Sequence, residues 1–396
     1  MIVNSAIQKR SHILNLIFFT LTNDRLARSF VIPILPYIVA SYNISGLTIG
    51  FIISGYTITS IVAAPIAGYL SDRFGRRPVL VGSLCFGATG MTLFGFANSL
   101  PLLFAGRLID GFGGGSAATS AAVISDITPP ENRTKAFGLI ALASAVSIIV
   151  GPGLGGILAS WSPKLPIILA AALLICNFLL ITILFRETIE KKVKQAHFSP
   201  LDIFKPLQKR KLRLNGLAHC LFNLGCFGGL SIGSLYLARI VKVDAHMSGF
   251  AFTIAGILTV IQQLLILPKL NKHLSTEQLF IGGGVLGLLG ALLMIHPPGW
   301  GLFVCTAMSL SLFSMSLGLA APSIRSLFTL ELPNSSSGNA MGSVQSIQNI
   351  GCAIGPPFLG YMFDKFSTES TFLSIFSIIL IGIAASAMTT RATPQN

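Results

Sequence analysis

Five charged residues stand inside stretches otherwise built from apolar side chains: Asp24, Arg25 and Arg28 in one, Arg107 and Asp110 in another. On a helix, at about 100° per residue, Asp24, Arg25 and Arg28 share one arc. Arg107 and Asp110, three residues apart, are close enough to touch. A carboxylate so placed can take up and give back a proton, because desolvation favours its neutral form and a neighbouring arginine its charged form. Asp24 is the leading candidate for this proton-coupling role and Asp110 the second, with Arg107 tuning them or binding substrate. Arg25 and Arg28 are candidates for substrate contact. The plainer alternative is a static set of salt bridges fastening two helices together.

The elements that must position these groups follow from composition. Of 396 residues, 52% are hydrophobic and only 10% charged, against about 25% charged in an ordinary soluble domain. Lipid must therefore be the main solvent. Crossing about 30 Å of hydrocarbon takes ~20 apolar residues as helix. Twelve stretches qualify, near 12–39, 47–70, 79–97, 101–124, 136–158, 165–185, 213–237, 247–268, 278–296, 300–324, 339–362 and 371–390. They lack the apolar–polar alternation of membrane strands, so the fold class is all-α and polytopic. The first stretch follows Lys9 and Arg10, exceeds a signal-peptide core and lacks a small-residue cleavage site, so it reads as a retained helix. A charge at mid-bilayer costs ~2.5–3.5 kcal/mol on insertion scales; the five charges above must serve a function or neutralise one another.

Net charge is +14, which by itself could suggest nucleic acid, but its placement argues for a membrane surface. With the N-terminus inside, cytoplasmic positions hold twenty of the 27 Lys and Arg residues, and outer loops hold only Lys164, Arg239, Lys242 and Lys365. This positive-inside bias places both termini in the cytoplasm. The six cysteines all fall in apolar stretches without a CxxC pair, and read as buried, inert thiols. No residue set calls for a metal or a cofactor.

The longest connection, 186–212, is basic and divides the chain into an amino-terminal six-helix bundle, 1–185, and a carboxy-terminal one, 213–396. Phe198, Leu201, Phe204 and Leu207 within it suggest a short helix on the anionic inner leaflet, although Pro206 and a disordered linker speak equally for the opposite. A shift of 204 residues overlays Pro129 on Pro333, Gly138 on Gly342, Gly151 on Gly355, Pro152 on Pro356 and Gly156 on Gly360. Repeated halves facing one another across a central site are a transporter architecture. The second half offers polar rather than charged candidates for substrate contact, chiefly Asn223, Gln345 and Asn349, with Gln262, Gln263 and Gln348 behind them.

Three motifs carry a resemblance. The loop after the second stretch reads Gly68-Tyr-Leu-Ser-Asp72-Arg73-Phe-Gly75-Arg76-Arg77-Pro78 and matches the GxxxDxxGRR signature of major facilitator transporters. Gly75 permits a tight turn, and Asp72 can pair with an arginine or meet the positive end of a helix. The fifth stretch carries Gly151-Pro152-Gly-Leu-Gly155-Gly156, which resembles the GPxxGG motif of drug:proton antiporters; Pro152 removes a backbone bond and the glycines allow close helix contact. Arg107-Leu-Ile-Asp110-Gly111 is similar to the RxxQG motif of proton-coupled members, with Asp110 in the usual place of Gln. Asp126-Ile-Thr-Pro-Pro-Glu131-Asn-Arg133 resembles the tetracycline-exporter branch, as does Asp24 placed nine residues before Pro33. Arg28 stands where those exporters usually have a small residue. In the second half the fifth-stretch motif is altered to Gly355-Pro356-Pro357-Phe-Leu-Gly360.

The resemblance implies twelve membrane helices in two pseudo-symmetric bundles and a proton-coupled secondary transporter, active as a monomer in a bacterial inner membrane. Its partners would be a small-molecule substrate, protons and the lipid bilayer. Export of a small amphipathic molecule by alternating access is the leading expectation. The five intramembrane charges sum to +1, which keeps open an importer of an anionic metabolite or siderophore. The chain has no GxxxxGK[ST] loop to drive transport with ATP. The distant alternative is a non-transporting membrane sensor or enzyme; the lack of GxSxG, HExxH or paired His/Cys ligands speaks against the enzyme, and the lack of a sizeable soluble domain against the sensor.

Overall fold

The computed structural model describes residues 2–42, 44–128, 133–188, 207–297, 299, 301–331 and 337–390. Among these every regular element is helical. Fifteen α-helices follow in order: α1 Ile2–Ser29, α2 Val31–Ile38, α3 Gly46–Phe74, α4 Arg76–Gly95, α5 Leu100–Phe112, α6 Gly115–Ile127, α7 Arg133–Trp161, α8 Leu165–Leu184, α9 Arg210–Tyr236, α10 Ala245–Ile261, α11 Leu267–Leu270, α12 Thr276–Ile295, α13 Leu302–Glu331, α14 Ser337–Lys365 and α15 Thr368–Thr390.

Each of the twelve expected stretches has a helical counterpart, and the departures have local causes. The first is split into α1 and α2 because Pro33 has no N–H to offer the carbonyl of Ser29 four residues earlier. The fourth is split into α5 and α6 at Gly113 and Gly114, within a glycine run that weakens helix. Two π-helical turns, Leu237–Val241 and Gln262–Ile266, extend α9 and α10. The second of these precedes Pro268, which cannot donate to the carbonyl of Leu264. α13 continues past the tenth expected stretch to Glu331, so Arg325 lies on it. Among the described residues nine helices are long and apolar enough to cross a membrane by length and composition alone. Those falling short are the two broken stretches and α14, whose serines, asparagines and glutamines lower its hydropathy.

By its contacts the chain divides into two compact units, Met1–Val31 with Ile58–Pro200, and Ile32–Thr57 with Leu201–Asn396. The core of the first joins Leu16, Ile17 and Leu21 of α1 to Leu80 and Leu84 of α4, Val123 and Ile124 of α6, and Ile181 and Phe185 at the end of α8. The core of the second is richer in aromatics: Phe222, Phe280, Phe313, Phe328 and Phe372 are all fully buried, and the rings of Phe222 and Phe280 lie 5.3 Å apart.

Segment 32–57 is held in the second unit by specific contacts. The Tyr37 hydroxyl donates to the Val243 carbonyl at 3.0 Å and the Ser248 hydroxyl to the Pro33 carbonyl at 3.1 Å. The Leu47 N–H, in the first turn of α3, donates to Asp364 at 3.1 Å, while Arg239 donates to the Ile44 carbonyl at 2.6 Å and to Asp364 at 3.3 Å. A Cβ on Gly46 would come within 3.0 Å of the Gly360 carbonyl, so α3 lies backbone to backbone on α14. The altered Gly355–Gly360 motif thus seats the start of α3.

Large apolar side chains are exposed along most helices; Ile183, Leu264 and Met388 are 74%, 66% and 65% exposed. Outward-facing apolar surface of this kind suits lipid. The expectation of six buried cysteines is corrected by the same feature: Cys85 and Cys176 are exposed and Cys220 is intermediate, leaving Cys226, Cys305 and Cys352 buried. An apolar stretch buries only the face turned to its neighbours. Of the expected surface helix in 186–212, Phe198, Leu201 and Phe204 lie outside the described residues.

Candidate functional site: an ion network in the first unit and an amide cluster in the second

In the first unit, Asp24, Arg107 and Asp110 are buried at 4%, 5% and 0% exposure. Arg28 bridges the two carboxylates. It pairs with Asp24 one turn back on α1, and its Nε donates to Asp110 Oδ1 at 3.2 Å. Arg107 Nη1 donates to the other oxygen, Oδ2, at 2.9 Å. Both Asp110 oxygens are therefore taken by arginines. Asp24 Oδ2 also accepts the Ser116 hydroxyl of α6 at 3.1 Å, whereas its Oδ1, though buried, accepts no hydrogen bond from any described residue. The Arg107 guanidinium lies 5.7 Å from the centre of the Phe94 ring, a cation–π contact.

Local sequence explains why these groups meet. Arg107 and Asp110 sit one turn apart on α5, and Asp24 and Arg28 one turn apart on α1. A Cβ on Gly113, at the α5–α6 break, would stand 2.9 Å from Arg28 Nη2, so the glycine run leaves the guanidinium its space. Two aspartates and two arginines balance, and the surplus positive charge expected from the sequence reduces to Arg25, which is half-buried on the same helix.

The α3–α4 signature forms a second network. Gly75 has φ +111°, a region that side chains rarely adopt, and there the chain turns from α3 into α4. Arg76 is buried and pairs with Asp72 and with Asp126 at 2.8 Å, and donates to the Ser71 hydroxyl at 2.7 Å. Arg77 is exposed and donates to the Thr182 carbonyl at 2.7 Å. Sequence reasoning passed over Glu187, whose two oxygens accept the backbone N–H groups of Arg76 and Arg77 at 2.9 and 3.1 Å. Its carboxylate sits at the N-terminus of α4, where a negative charge is favoured. A Cβ on Gly75 would fall 2.9 Å from its carboxyl carbon. The signal available was an acid two residues past the sixth stretch, at the head of a loop with a basic excess. Gly68 faces open space. Arg133 begins α7, and its side chain lies outside the described part.

The α7 motif packs on the break between α1 and α2. Gly151, Pro152, Gly155 and Gly156 are buried; Gly151 lies against Ser29, and a Cβ on Gly155 would be 3.3 Å from the Phe30 ring. The motif thus touches α1 within two residues of Arg28.

The second unit is polar without the same charge. Asn223 Nδ2 donates to the His219 carbonyl at 2.8 Å and faces its imidazole at 3.3 Å; both residues are buried on α9. Cys352 of α14 lies 3.8 Å from Asn223 Oδ1. Gln345 Nε2 donates to Asn349 Oδ1 at 3.1 Å. The candidate pairs form within helices, and Asn223 finds His219 and Cys352. His219, passed over in the sequence, was visible as a histidine inside the apolar stretch 213–237.

Comparison with known proteins agrees with this construction. Tetracycline resistance protein, class D, of Salmonella ordonez is 26% identical over 355 residues, covering 86% of this chain and 87% of that protein. The class C protein of Escherichia coli is 28% identical over 360 residues, 88% and 89% of the two chains. Multidrug resistance protein 2 of Bacillus subtilis (strain 168) is 25% identical over 380 residues, 90% of each. Among solved structures, a point mutant of the nucleoside transporter NupG superposes with a TM-score of 0.81 at 15% identity, over 95% of this chain and 99% of that one. The human organic anion transporter MFSD10 gives 0.72 at 20% identity, also over 95% and 99%. With the Major Facilitator Superfamily matching residues 17–356, and the signature turn built as its residues require, the chain belongs to that superfamily and is a multi-pass membrane transporter.

Proposed function

We propose that the chain is a proton-coupled exporter, moving a small amphipathic molecule out of a bacterial cell by alternating access while protons run inward. The observation that carries this reading is the buried Asp24–Arg28–Asp110–Arg107 network. Asp110, held by two arginines, is the fixed anion. Asp24 is the proton carrier, because its Oδ1 remains open to a proton while Oδ2 holds Arg28 and Ser116. Protonation of Asp24 at Oδ1 turns a neutral network into one of charge +1 and weakens the ion pair that holds Arg28 to α1, while the pair with Asp110 remains. The contact between Gly151 and Ser29 lies one residue past Arg28, where such a shift would reach α7. Each inward charge is worth about 2.3 kcal/mol per 100 mV of membrane potential. The similarity to tetracycline and multidrug resistance proteins supports export. With Arg25 on the same helix the five intramembrane charges still sum to +1, which keeps an anionic cargo as the second reading.

The test uses purified protein in liposomes with a lumenal pH dye, an imposed proton gradient and a chemically broad panel of amphipaths. Antiport predicts substrate and protons moving in opposite directions. Movement of both in the same direction would replace this reading with symport.

A further inference from the structure

Three local irregularities of the second unit converge on segment 32–57. Leu237–Val241 is a π-helical turn, a widening often found at functional sites, and Arg239 lies within it. Lys242, directly after, has φ +58°, a left-handed conformation uncommon for a residue with a side chain; the carbonyl of the next residue, Val243, is the one that accepts the Tyr37 hydroxyl. Asp364 stands in the last turn of α14, where the helix dipole disfavours a negative charge.

The start of α3 accounts for these placements. Ser45 caps that helix from within, accepting the Thr48 N–H at 3.1 Å. The Leu47 N–H goes instead to Asp364 Oδ2 at 3.1 Å, so the carboxylate at the negative end of α14 sits at the positive end of α3. Its Oδ1 pairs with Arg239 Nη1 at 3.3 Å, and Arg239 Nη2 donates to the Ile44 carbonyl at 2.6 Å. A Cβ on Gly360 would overlap the Gly46 carbonyl, and one on Gly50 the Pro356 carbonyl. The side chains of Arg239 and Asp364 are 38% and 19% exposed, so water can take over their bonds and the contact can open. The same segment is where the chain changes unit: α3 belongs to the second unit up to Thr57 and to the first from Ile58. Positive-inside placement assigns Arg239 to the outer side.

We propose that Arg239 and Asp364 are positioning residues of the transport cycle, forming an outer latch that seats segment 32–57 on the second unit in one state and releases it in the other. The inference rests on the alternating-access reading. The latch depends on the sign of each charge at its own place. Asp364 receives an N–H of α3 and Arg239 gives to a carbonyl, so the two charges cannot be exchanged.

The test follows the reactivity of Ile49→Cys, a buried position on α3, toward a charged, water-soluble maleimide. It uses purified full-length protein in nanodiscs, without substrate or proton gradient, and the parent with its own cysteines gives the background. Asp364→Ala and Arg239→Ala, each added to Ile49→Cys, should raise the labelling rate about three- to tenfold, the shift that loss of one modest hydrogen bond produces. The exchange Arg239→Asp with Asp364→Arg should label as fast as the single variants. Ala143→Cys, in the core of the first unit, should stay unlabelled in every background. An unchanged rate in both single variants, a rate restored by the exchange, or an equal rise at Ala143→Cys, which would mean general loosening, would each overturn the latch. None of these outcomes bears on antiport, which the liposome assay decides separately.

Discussion

The interiors of the two units are polar in different currencies. The first holds two aspartates and two arginines in one connected network, none more than slightly exposed. The second holds amides, hydroxyls, thiols and a histidine, in short pairs along α9 and α14. A buried ion network carries its charge in carboxylates and guanidinia; the amides, hydroxyls and thiols of the second unit carry none and offer donors and acceptors to a ligand. On the proposed reading, energy coupling falls to the first unit and recognition to the second.

The strongest way to break that comparison is to unbalance the ion network. Asp110→Ala leaves Arg28 and Arg107 buried without their shared anion, and removing one partner of a buried pair costs about 3–5 kcal/mol. A large fall in folded yield and melting temperature is expected, measured by size exclusion and thermal unfolding in detergent. A variant as stable as the parent would make Asp110 dispensable to the network.

Next in size is the turn that orders the first unit. Gly75→Ala places a side chain at φ +111° and drives it into the Glu187 carboxylate. Backbone strain of this kind costs about 1–3 kcal/mol, read as a lower melting temperature. Gly75→Ala with Glu187→Ala should recover only the part due to the clash.

The smallest effect sharpens the assignment of the second unit. Asn223→Ala removes the partner of His219 and Cys352, at about 0.5–1.5 kcal/mol for one hydrogen bond. It should raise the substrate KM up to about tenfold and leave the proton-to-substrate ratio unchanged. A changed ratio would place coupling in the second unit too.

Much of this was legible in the sequence because membrane crossing leaves a coarse signal. Runs of apolar residues gave the helices, and the spacing of Arg107 with Asp110 and of Asp24 with Arg28 gave the pairs, since one helical turn suffices to make them meet. What was not legible depends on contacts between distant segments. The link from Arg28 to Asp110 spans 82 positions, that from Glu187 to Arg76 spans 111, and no local pattern announces either. The seating of segment 32–57 on α14 was equally hidden: Gly46 and Gly360 become meaningful only once their backbones touch. The breaks at Pro33 and at Gly113–Gly114 followed from residue type, but hydropathy averages over them.

The central claim is that Asp24 carries the coupled proton, and Asp24→Asn tests it most directly. In liposomes with a lumenal pH dye, the account predicts that Asp24→Asn still exchanges labelled substrate across the membrane at equal concentrations, but neither moves protons nor concentrates substrate when a proton gradient is imposed. Proton-driven accumulation undiminished in Asp24→Asn would contradict it.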